Sequence, residues 1–507
     1  PPLPVDNDDD VDFGRDGGFF DMFQMDEGDP IVVERLAALT PFVGAAGLLN
    51  AKAAEAVARS PCGNATSYLI REYHSDTEVA DALQAVADGL HRPHSSEGGG
   101  DGDGGGVYNP WLAAKGNGSE LLDMTIEYFT RWCVFLPDVE GSRDNGLAYI
   151  ERFTRWYHRN DAGQDFVRGR KPGTGGRESL PAGRRFVKDF VKQRGKFMDG
   201  ERSARLIRRW MADPRIKIED YKVPVGGYRS WNEFFARDVI IDEATMTIPS
   251  RPVTMADRDY VVVSPTDCVM NPLVQVMTRD EDGRCAAAED DRCAAAAAAP
   301  RREPVRNPLD ISDVLDVKGR PLSLDALLGS ASPELKDAFH GGNGLSCVLT
   351  PHSYHHYHSP VDGTVVHAEV VESVTFGHRD FPGTVPPNGN AGGIGTDFSQ
   401  YQDFQRGVIV IRVEYGGMNG EVMTGYVASI PVGLDTVGSV VLDEDVVPGA
   451  EVKKGYTRLG NFYYGGSLNI ILFSKGLADG AVQTRMGNQI AQFNVGRAPP
   501  PNPEMPF

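Results

Sequence analysis

Histidines cluster in the second half of the chain, and imidazole groups can transfer protons near neutral pH. The segment "TPHSYHHYHSPVDG" (350–363) holds four of the eleven histidines within seven positions. On a strand His356 and His358 share a face, whereas in a helical turn His355 and His358 do. No cysteine or acidic residue stands at a spacing typical of metal ligands, so we expect proton transfer and no metal site. A chance cluster of surface histidines is the alternative.

An aspartate and a serine elsewhere in the chain supply the other groups of such a site. In "SPTDCV" (264–269), Asp267 stands in a predicted turn after the apolar run "VVV", where it could simply cap its own backbone. In "YYGGSLNIILF" (463–473), Ser467 follows two glycines and opens a strand pattern. Asp, His and Ser together activate a hydroxyl nucleophile. This serine lacks the G-x-S-x-G context of a hydrolase, which indicates a different use.

The peptide bond before Ser467 is the predicted site of chemistry. Gly466 has no side chain, so a nucleophile can approach its carbonyl carbon closely. Attack by the Ser467 hydroxyl would convert the amide into an ester, and elimination and hydrolysis would then break the chain. The products would be residues 1–466 and residues 467–507, with a pyruvoyl group on the new N-terminus.

These motifs resemble those of the pyruvoyl-dependent phosphatidylserine decarboxylase family, including its large soluble fungal-type members and L-tryptophan decarboxylase-like proteins. "SPTDC" is similar to the family's Ser-Pro-x-Asp-Gly motif, "YHHYHSP" (354–360) to Tyr-His-Arg-x-His-x-Pro, and "GGSL" to the Gly-Ser-Thr cleavage motif. The resemblance covers about residues 228–495. It implies a catalytic aspartate at Asp267, a general base at His358 and a companion histidine for protonation at His355.

The resemblance also implies the course of the reaction. The chain would cleave itself between Gly466 and Ser467, with Asp267 orienting His358 and His358 taking the hydroxyl proton. Ser467 is then the precursor of the pyruvoyl cofactor, which forms a Schiff base with the substrate amine and accepts electrons as CO2 leaves.

Three positions depart from the family motifs. Cys268 stands in place of glycine, His356 in place of arginine, and Leu468 in place of threonine or serine. None of the three removes a catalytic role. A homologue that no longer cleaves itself and serves as a binding scaffold is a further alternative.

The resemblance implies a substrate with an α-amino acid head, either a phospholipid or a small molecule. Phosphatidylserine, converted to phosphatidylethanolamine, is the family's default substrate, and the alternative is a free aromatic L-amino acid such as tryptophan. The basic stretch "RRFVKDFVKQRGKF" (184–197) predicts either peripheral contact with an anionic membrane or a domain-surface helix with a solvated basic face. The apolar residues on one side of this stretch are Phe186, Val187, Phe190 and Val191. No nucleic-acid module surrounds it, and the resemblance adds a homodimer as an assembly to test.

Composition and periodicity predict an α+β protein. Residues 1–30 read as an acidic disordered leader, and residues 31–227 as a helical N-terminal domain with a Gly-rich break at 95–106. Residues 228–507 read as a β-rich, mostly antiparallel decarboxylase domain with a low-complexity insertion at 279–302.

Composition also bears on location. The net charge is −20, and no apolar run approaches the length that spans a bilayer. We therefore expect a cytoplasmic or peripheral membrane protein. The six cysteines form no C-x-x-C pair, so we predict reduced thiols and no disulfide framework.

Overall fold

The computed structural model describes most of two compact units. The described residues are 25–44, 49–90, 119–136, 156, 160–174, 177–272, 314–317, 320–349, 352–373, 404–417, 420–434 and 439–478. The first unit runs up to Ile216 and includes Gly226–Phe234, and the second includes Lys217–Val225 and the chain from Phe235 onward. The Gly-rich break, the low-complexity insertion and nearly all of the acidic leader lie outside the described residues.

The first unit is helical, as the sequence predicts. Its α-helices are α1 Pro30–Leu39, α2 Ala51–Arg59, α3 Gly63–Ser75, α4 Thr77–Leu90, α5 Ser119–Val134, α6 Asp161–Val167, α7 Pro181–Met198 and α8 Ile207–Met211. The short helix α9, Trp231–Phe235, lies where the chain passes between the units. Side-chain caps fix the helix starts: Asp29 accepts from the Ile31 N–H at 2.9 Å, and Asn50 from the Ala53 N–H at 2.8 Å. No helix within the described ranges is both long and apolar enough to cross a bilayer.

Aromatic side chains from α5 and α7 form the centre of this helical unit. The ring centroid of Phe129 lies 4.7 Å from that of Phe186 and 5.2 Å from that of Phe190. Phe186, Val187 and Phe190 are buried, so this apolar side of α7 is part of the core and cannot insert into a membrane. The prediction that the apolar residues of α7 face a membrane is therefore wrong for Phe186, Val187 and Phe190. Peripheral contact through the exposed basic face stays a prediction.

One disulfide corrects the prediction that all cysteines are reduced. Cys62 and Cys133 are bonded, with their Cα atoms 6.0 Å apart, across 71 residues of sequence. Helical packing brings these distant residues together, and no sequence spacing could show that. Cys268 and Cys347 in the second unit are free thiols.

The second unit is built on antiparallel sheets, which confirms the α+β prediction. Its strands are β1 Val269–Pro272, β2 Val314–Val317, β3 Arg320–Ser323, β4 Asn343–Leu349, β5 His356–His358, β6 Gly363–Val371, β7 Arg406–Gly416, β8 Val422–Leu434, β9 Val440–Leu442, β10 Glu451–Val452, β11 Arg458–Phe462 and β12 Gly466–Phe473. The large sheet has the order β1-β4-β12-β8-β7-β6-β10, the small sheet β5-β11-β9, and β2 pairs with β3. The described part of this unit also contains two helices, α10 Leu324–Leu327 and α11 Pro333–Phe339.

Alternating residues divide the large sheet into two faces. On one face Val408, Ile430 and Leu468 belong to a core that also contains Leu327 of α10 and Phe339 of α11. The β-branched runs in β4, β6, β7, β9 and β12 are strands as the sequence predicts.

The apolar run 261–263 is an exception, because it lies outside every strand and is only half-buried. The Val263 N–H makes a single backbone bond, to the Pro360 carbonyl at 2.9 Å, rather than a ladder. A segment with high β-propensity forms a strand only when it pairs with the edge of another strand, and this segment does not.

We predict that Arg194→Leu lowers the free energy of unfolding of the helical unit by about 3 kcal/mol. The fully buried guanidinium donates to the carbonyls of Trp132, Cys133 and Phe135 at the end of α5, the last two at 2.9 Å. Those carbonyls would lose their partner in the variant. All five tryptophans precede residue 232, so urea unfolding followed by tryptophan fluorescence reports on this unit.

The matched control is Lys192→Leu, at an exposed position on the same helix. It should change the free energy of unfolding by less than about 0.5 kcal/mol. Equal losses in the two variants would contradict the role of the buried guanidinium.

Candidate active site

Strand β4 brings the Asp267 turn and Ser467 to one end of the large sheet. Val348 of β4 pairs with Leu468 of β12 on one side and with Val269 of β1 on the other. Ser467 directly precedes Leu468, and Asp267 stands two residues before Val269. The two segments therefore flank the same end of β4, with their backbones two strand spacings, or about 10 Å, apart.

Backbone hydrogen bonds join the histidine strand β5 to both segments. The His358 N–H donates to the Pro265 carbonyl, in the Asp267 turn, at 2.8 Å. On the other side β5 pairs with β11, and the Phe462 N–H at the end of β11 donates to the His355 carbonyl at 2.9 Å. The structure thus brings the backbones of the three predicted motifs together.

Ser467 is buried at the start of β12. It is 3 % exposed, and its Oγ has no hydrogen-bond partner in the described part of the chain. The next residue, Leu468, has its side chain in the hydrophobic core of the sheet. Neighbouring residues of a strand point to opposite faces, so the Leu468 side chain points away from the Ser467 hydroxyl. The leucine that replaces the family's threonine or serine therefore acts in packing.

Both ring nitrogens of His358 have partners. Nδ1 lies 2.9 Å from the Tyr456 carbonyl oxygen, which only accepts, so Nδ1 carries the proton. Nε2 then accepts a hydrogen bond from the Tyr354 hydroxyl at 2.8 Å. Burial lowers the pKa of His358 to about 4, so the imidazole is neutral at pH 7. His358 is therefore a buried base whose lone pair faces a tyrosine proton.

His355 lies against aromatic side chains. Its ring stacks on Phe235 with centroids 3.6 Å apart, and Phe235 in turn contacts Tyr464 at 5.4 Å. The His355 Nδ1 is buried with no hydrogen-bond partner among the described residues. Burial, and then the positive charge of Arg237, hold the pKa of His355 well below its usual value. A neutral histidine thus packs on a ring that touches the segment leading to Ser467.

Asp267 is held by an arginine rather than by a histidine. The Arg251 Nη2 lies 2.8 Å from the Asp267 Oδ2, and its Nε lies 3.1 and 3.2 Å from the two carboxylate oxygens. The same Nη2 donates to the Tyr221 hydroxyl at 2.9 Å. The guanidinium also lies over the Tyr354 ring, 5.1 Å from its centroid. Arg251 therefore connects the Asp267 carboxylate to the tyrosine that binds His358.

The sequence motifs predict a hydrogen-bond chain from Asp267 through His358 to Ser467. In this structure Asp267 and His358 bond to other groups instead. The Tyr456 carbonyl orients His358 in the place expected for Asp267, because the carboxylate is engaged by Arg251. Sequence reasoning misses Arg251 and the Tyr456 carbonyl, which no motif marks. Tyr354 could have been found, since it is a phenol within the histidine motif itself.

The Cys268 thiol lies beside a second thiol. Its Sγ is 3.7 Å from the Ser264 Oγ, and a hydrogen bond with Cys347 lowers the pKa of Cys268 and raises that of Cys347. Cys347 pairs in register with Asn469, two residues after Ser467. The cysteine that replaces the family's glycine thus borders the β4–β12 pair.

Residues 231–492, just over half of the chain, match the family model described as phosphatidylserine decarboxylase. The chain belongs to the phosphatidylserine decarboxylase family. The matched range contains Asp267, the histidine segment and the Gly466–Ser467 bond.

Relatives within the phosphatidylserine decarboxylase family are distant. Phosphatidylserine decarboxylase proenzyme 2 of Komagataella phaffii is 26% identical over 284 residues, which are 56% of this chain and 22% of that protein. The phosphatidylserine decarboxylase proenzyme of Clostridium perfringens is 23% identical over 326 residues, 62% of this chain and 88% of its own. Decarboxylase iboD of Amanita muscaria is 25% identical over 297 residues, 57% of this chain and 72% of its own. The chain thus spans about a fifth of the Komagataella protein and most of the other two.

We predict that His358 titrates with a midpoint near pH 4, and that Tyr354→Phe raises this midpoint by about one unit. The Tyr354 hydroxyl stabilises the neutral imidazole by donating to its Nε2, so its removal favours the protonated form. NMR of histidine-labelled protein measures both midpoints.

Tyr357→Phe is the matched control, because the Tyr357 hydroxyl is buried but donates to the Val441 carbonyl at 2.6 Å. It should leave the His358 midpoint unchanged. A midpoint near the usual 6.5 in the unmodified protein would refute the burial of a neutral base.

Proposed function

We propose that the chain is a pyruvoyl-dependent decarboxylase that cleaves itself between Gly466 and Ser467. The observation that carries this proposal is the Ser467 hydroxyl, which is buried, directly follows a glycine, and lacks a hydrogen-bond partner among the residues described. A buried hydroxyl without a partner costs free energy, so its presence favours a chemical role. Membership of the phosphatidylserine decarboxylase family supports it, and the Komagataella and Clostridium relatives are named proenzymes.

The proposed cleavage uses only groups of the chain and water. The Ser467 Oγ attacks the Gly466 carbonyl carbon, the C–N bond breaks as the C–O bond forms, and the hydroxyl proton passes to the nitrogen. Elimination then removes the Ser467 Cα proton as the Oγ–Cβ bond breaks, which leaves Gly466 as a carboxylate and a Cα=Cβ double bond at position 467. Water hydrolyses this enamine through its imine tautomer and releases ammonia. The new N-terminus at position 467 is then a pyruvoyl group.

We assign proton transfer to His358 and its tyrosine. The neutral imidazole can accept a proton at Nε2 from the Tyr354 hydroxyl, which lies 2.8 Å away, when Tyr354 takes another proton in the same step, because burial raises the pKa of that hydroxyl. Asp267 is assigned to the same network through Arg251, whose guanidinium lies over the Tyr354 ring. His355 is assigned to protonation after CO2 leaves, because its buried Nδ1 has no other partner in the described residues.

The surroundings of Ser467 suit a pyruvoyl group. The position is buried at a strand start, and no neighbouring side chain binds its Oγ in the described residues, so the group can form without breaking an existing hydrogen bond. A pyruvoyl group at position 467 would supply a carbonyl for Schiff-base formation with the substrate amine and an electron sink for the breaking Cα–carboxylate bond. Burial of Ser467 and His355 keeps bulk water away from the reacting atoms, so only the water that the hydrolysis consumes has to reach them.

We assign phosphatidylserine as the substrate, because the Komagataella and Clostridium relatives are named for it. A free aromatic L-amino acid is the second candidate. The net charge of −20 favours it, since an acidic protein is repelled by anionic lipid except at local basic patches.

We predict that the purified chain yields a fragment of residues 467–507 that is lighter by one ammonia, because Ser467 has become a pyruvoyl group, and that Ser467→Ala abolishes it. The alanine methyl cannot attack the Gly466 carbonyl. Intact-protein mass spectrometry measures both results. Ser474→Ala, which changes a buried serine just beyond β12, is the matched control and should still cleave. An uncleaved parent chain would favour a non-processing scaffold, and cleavage of Ser467→Ala would refute the mechanism.

We predict that Arg251→Met slows self-cleavage by at least about tenfold, because methionine cannot hold the Asp267 carboxylate. The time course of fragment release after cell-free synthesis measures the rate. Arg258→Met is the control, since that arginine is half exposed and its carboxylate partner is Asp257. Cleavage at the parent rate in Arg251→Met would remove Arg251 from the network.

The substrate is identified by CO2 release from the cleaved protein. We expect release from vesicles that contain phosphatidylserine and none from L-tryptophan. Release from tryptophan alone would replace the lipid with the free amino acid and leave the self-cleavage proposal intact.

A further inference from the structure

Six of the ten residues that line a cleft in the helical unit are basic. It has a volume of about 630 Å³ and lies at the N-terminus of α7. Its cationic residues are Arg168, Arg170, Arg177, Arg184, Arg185 and Lys188. The single acid in the lining, Glu178, lies 3.5 Å from the Lys171 ammonium. The cleft therefore carries a strong positive charge.

Three of the six cationic side chains in the cleft have no acidic partner among the described residues. Arg170, Arg184 and Lys188 have no carboxylate within 4.0 Å among the described residues. Arg185 is only 4.0 Å from Asp189, and its guanidinium lies over the Tyr68 ring at 4.5 Å. Like charges gathered in one concavity repel one another and create a field that attracts anions.

Helix α7 adds to this field. No side chain caps its N-terminus, and its first turn has no acidic residue, so the partial positive charge of the helix end also faces an approaching anion. From there Arg184, Lys188, Lys192 and Lys196 recur every four residues on the exposed face. At 1.5 Å per residue, this stripe is about 18 Å long.

We propose that the cleft binds a phosphate group, with the arginines donating paired N–H groups to its oxygens. A lipid head group and a soluble phosphate ester both supply that chemistry. The stripe is longer than one phosphate group, which favours the surface of a bilayer that carries many phosphates. Because the apolar side of α7 is buried, the contact is electrostatic and does not involve insertion. The inference concerns the helical unit and is independent of the proposed decarboxylation.

The test is sedimentation of the full-length protein with vesicles of phosphatidylglycerol and phosphatidylcholine, compared with phosphatidylcholine alone. Phosphatidylglycerol supplies phosphate without an amino acid head, so the decarboxylase site does not contribute. We expect binding to the anionic vesicles only, and competition by inorganic phosphate beyond that by sodium chloride at equal ionic strength. Each basic residue at such a surface contributes about fivefold, so Arg184→Glu should weaken binding about 30-fold.

The matched control is Lys52→Glu, which makes the same change of charge at an exposed position on α2 of the same unit. It should weaken binding less than about threefold. Thermal stabilisation by inorganic phosphate that Arg184→Glu abolishes, without vesicle binding, would support the cleft and identify a soluble phosphate ester as its ligand. Equal weakening by both variants, full binding by Arg184→Glu, or no competition by phosphate would overturn the proposal.

Discussion

The pairing of β12 with β4 on one side and β8 on the other is the constraint on which the site depends. Every residue from Ser467 to Phe473 has a partner residue in both neighbouring strands. The ladder, rather than any contact of its own side chain, therefore fixes the position of the Ser467 hydroxyl. Because β1 pairs with the far edge of β4, the same register also places the Asp267 turn.

Burial controls the chemistry of the histidines at this end of the sheet. His355 and His358 are both almost completely buried, and desolvation lowers the pKa of each. A neutral imidazole needs a hydrogen-bond acceptor for its one N–H, and the Tyr456 carbonyl supplies it for His358. The charged members of the network, Asp267 and Arg251, are more exposed and neutralise each other. The charged groups thus remain close to water and the neutral groups lie inside.

Local patterns in the sequence predict the elements of the fold well. β-branched runs mark β4, β6, β7 and β12, and helical spacing marks α4 and α5, because short-range side-chain preferences decide those elements. The run 261–263 shows the limit, since it has strand-forming residues but no ladder. Strand formation there depends on a free partner edge, which is a property of the tertiary structure.

The site is predictable in its members and less so in its connections. Motifs nominate Asp267, His358 and Ser467 as site residues. The structure brings the Asp267 turn and Ser467 to one end of the large sheet and bonds the His358 N–H to the Pro265 carbonyl in that turn. Arg251 stands sixteen residues before Asp267 without any repeating pattern, so only the folded chain shows that they pair. The Cys62–Cys133 disulfide has the same origin, because it joins helices that are distant in sequence.

The 3 % exposure of Ser467 has a consequence for the chain end that the proposed cleavage creates. Ordinary proteolysis at this bond would leave an ammonium group in the interior, where an unpaired charge is strongly disfavoured. A ketone-bearing terminus carries no charge and fits the same dry position without a counter-ion. The proposed chemistry would therefore add no positive charge at position 467, and the charge that the break creates would be the Gly466 carboxylate.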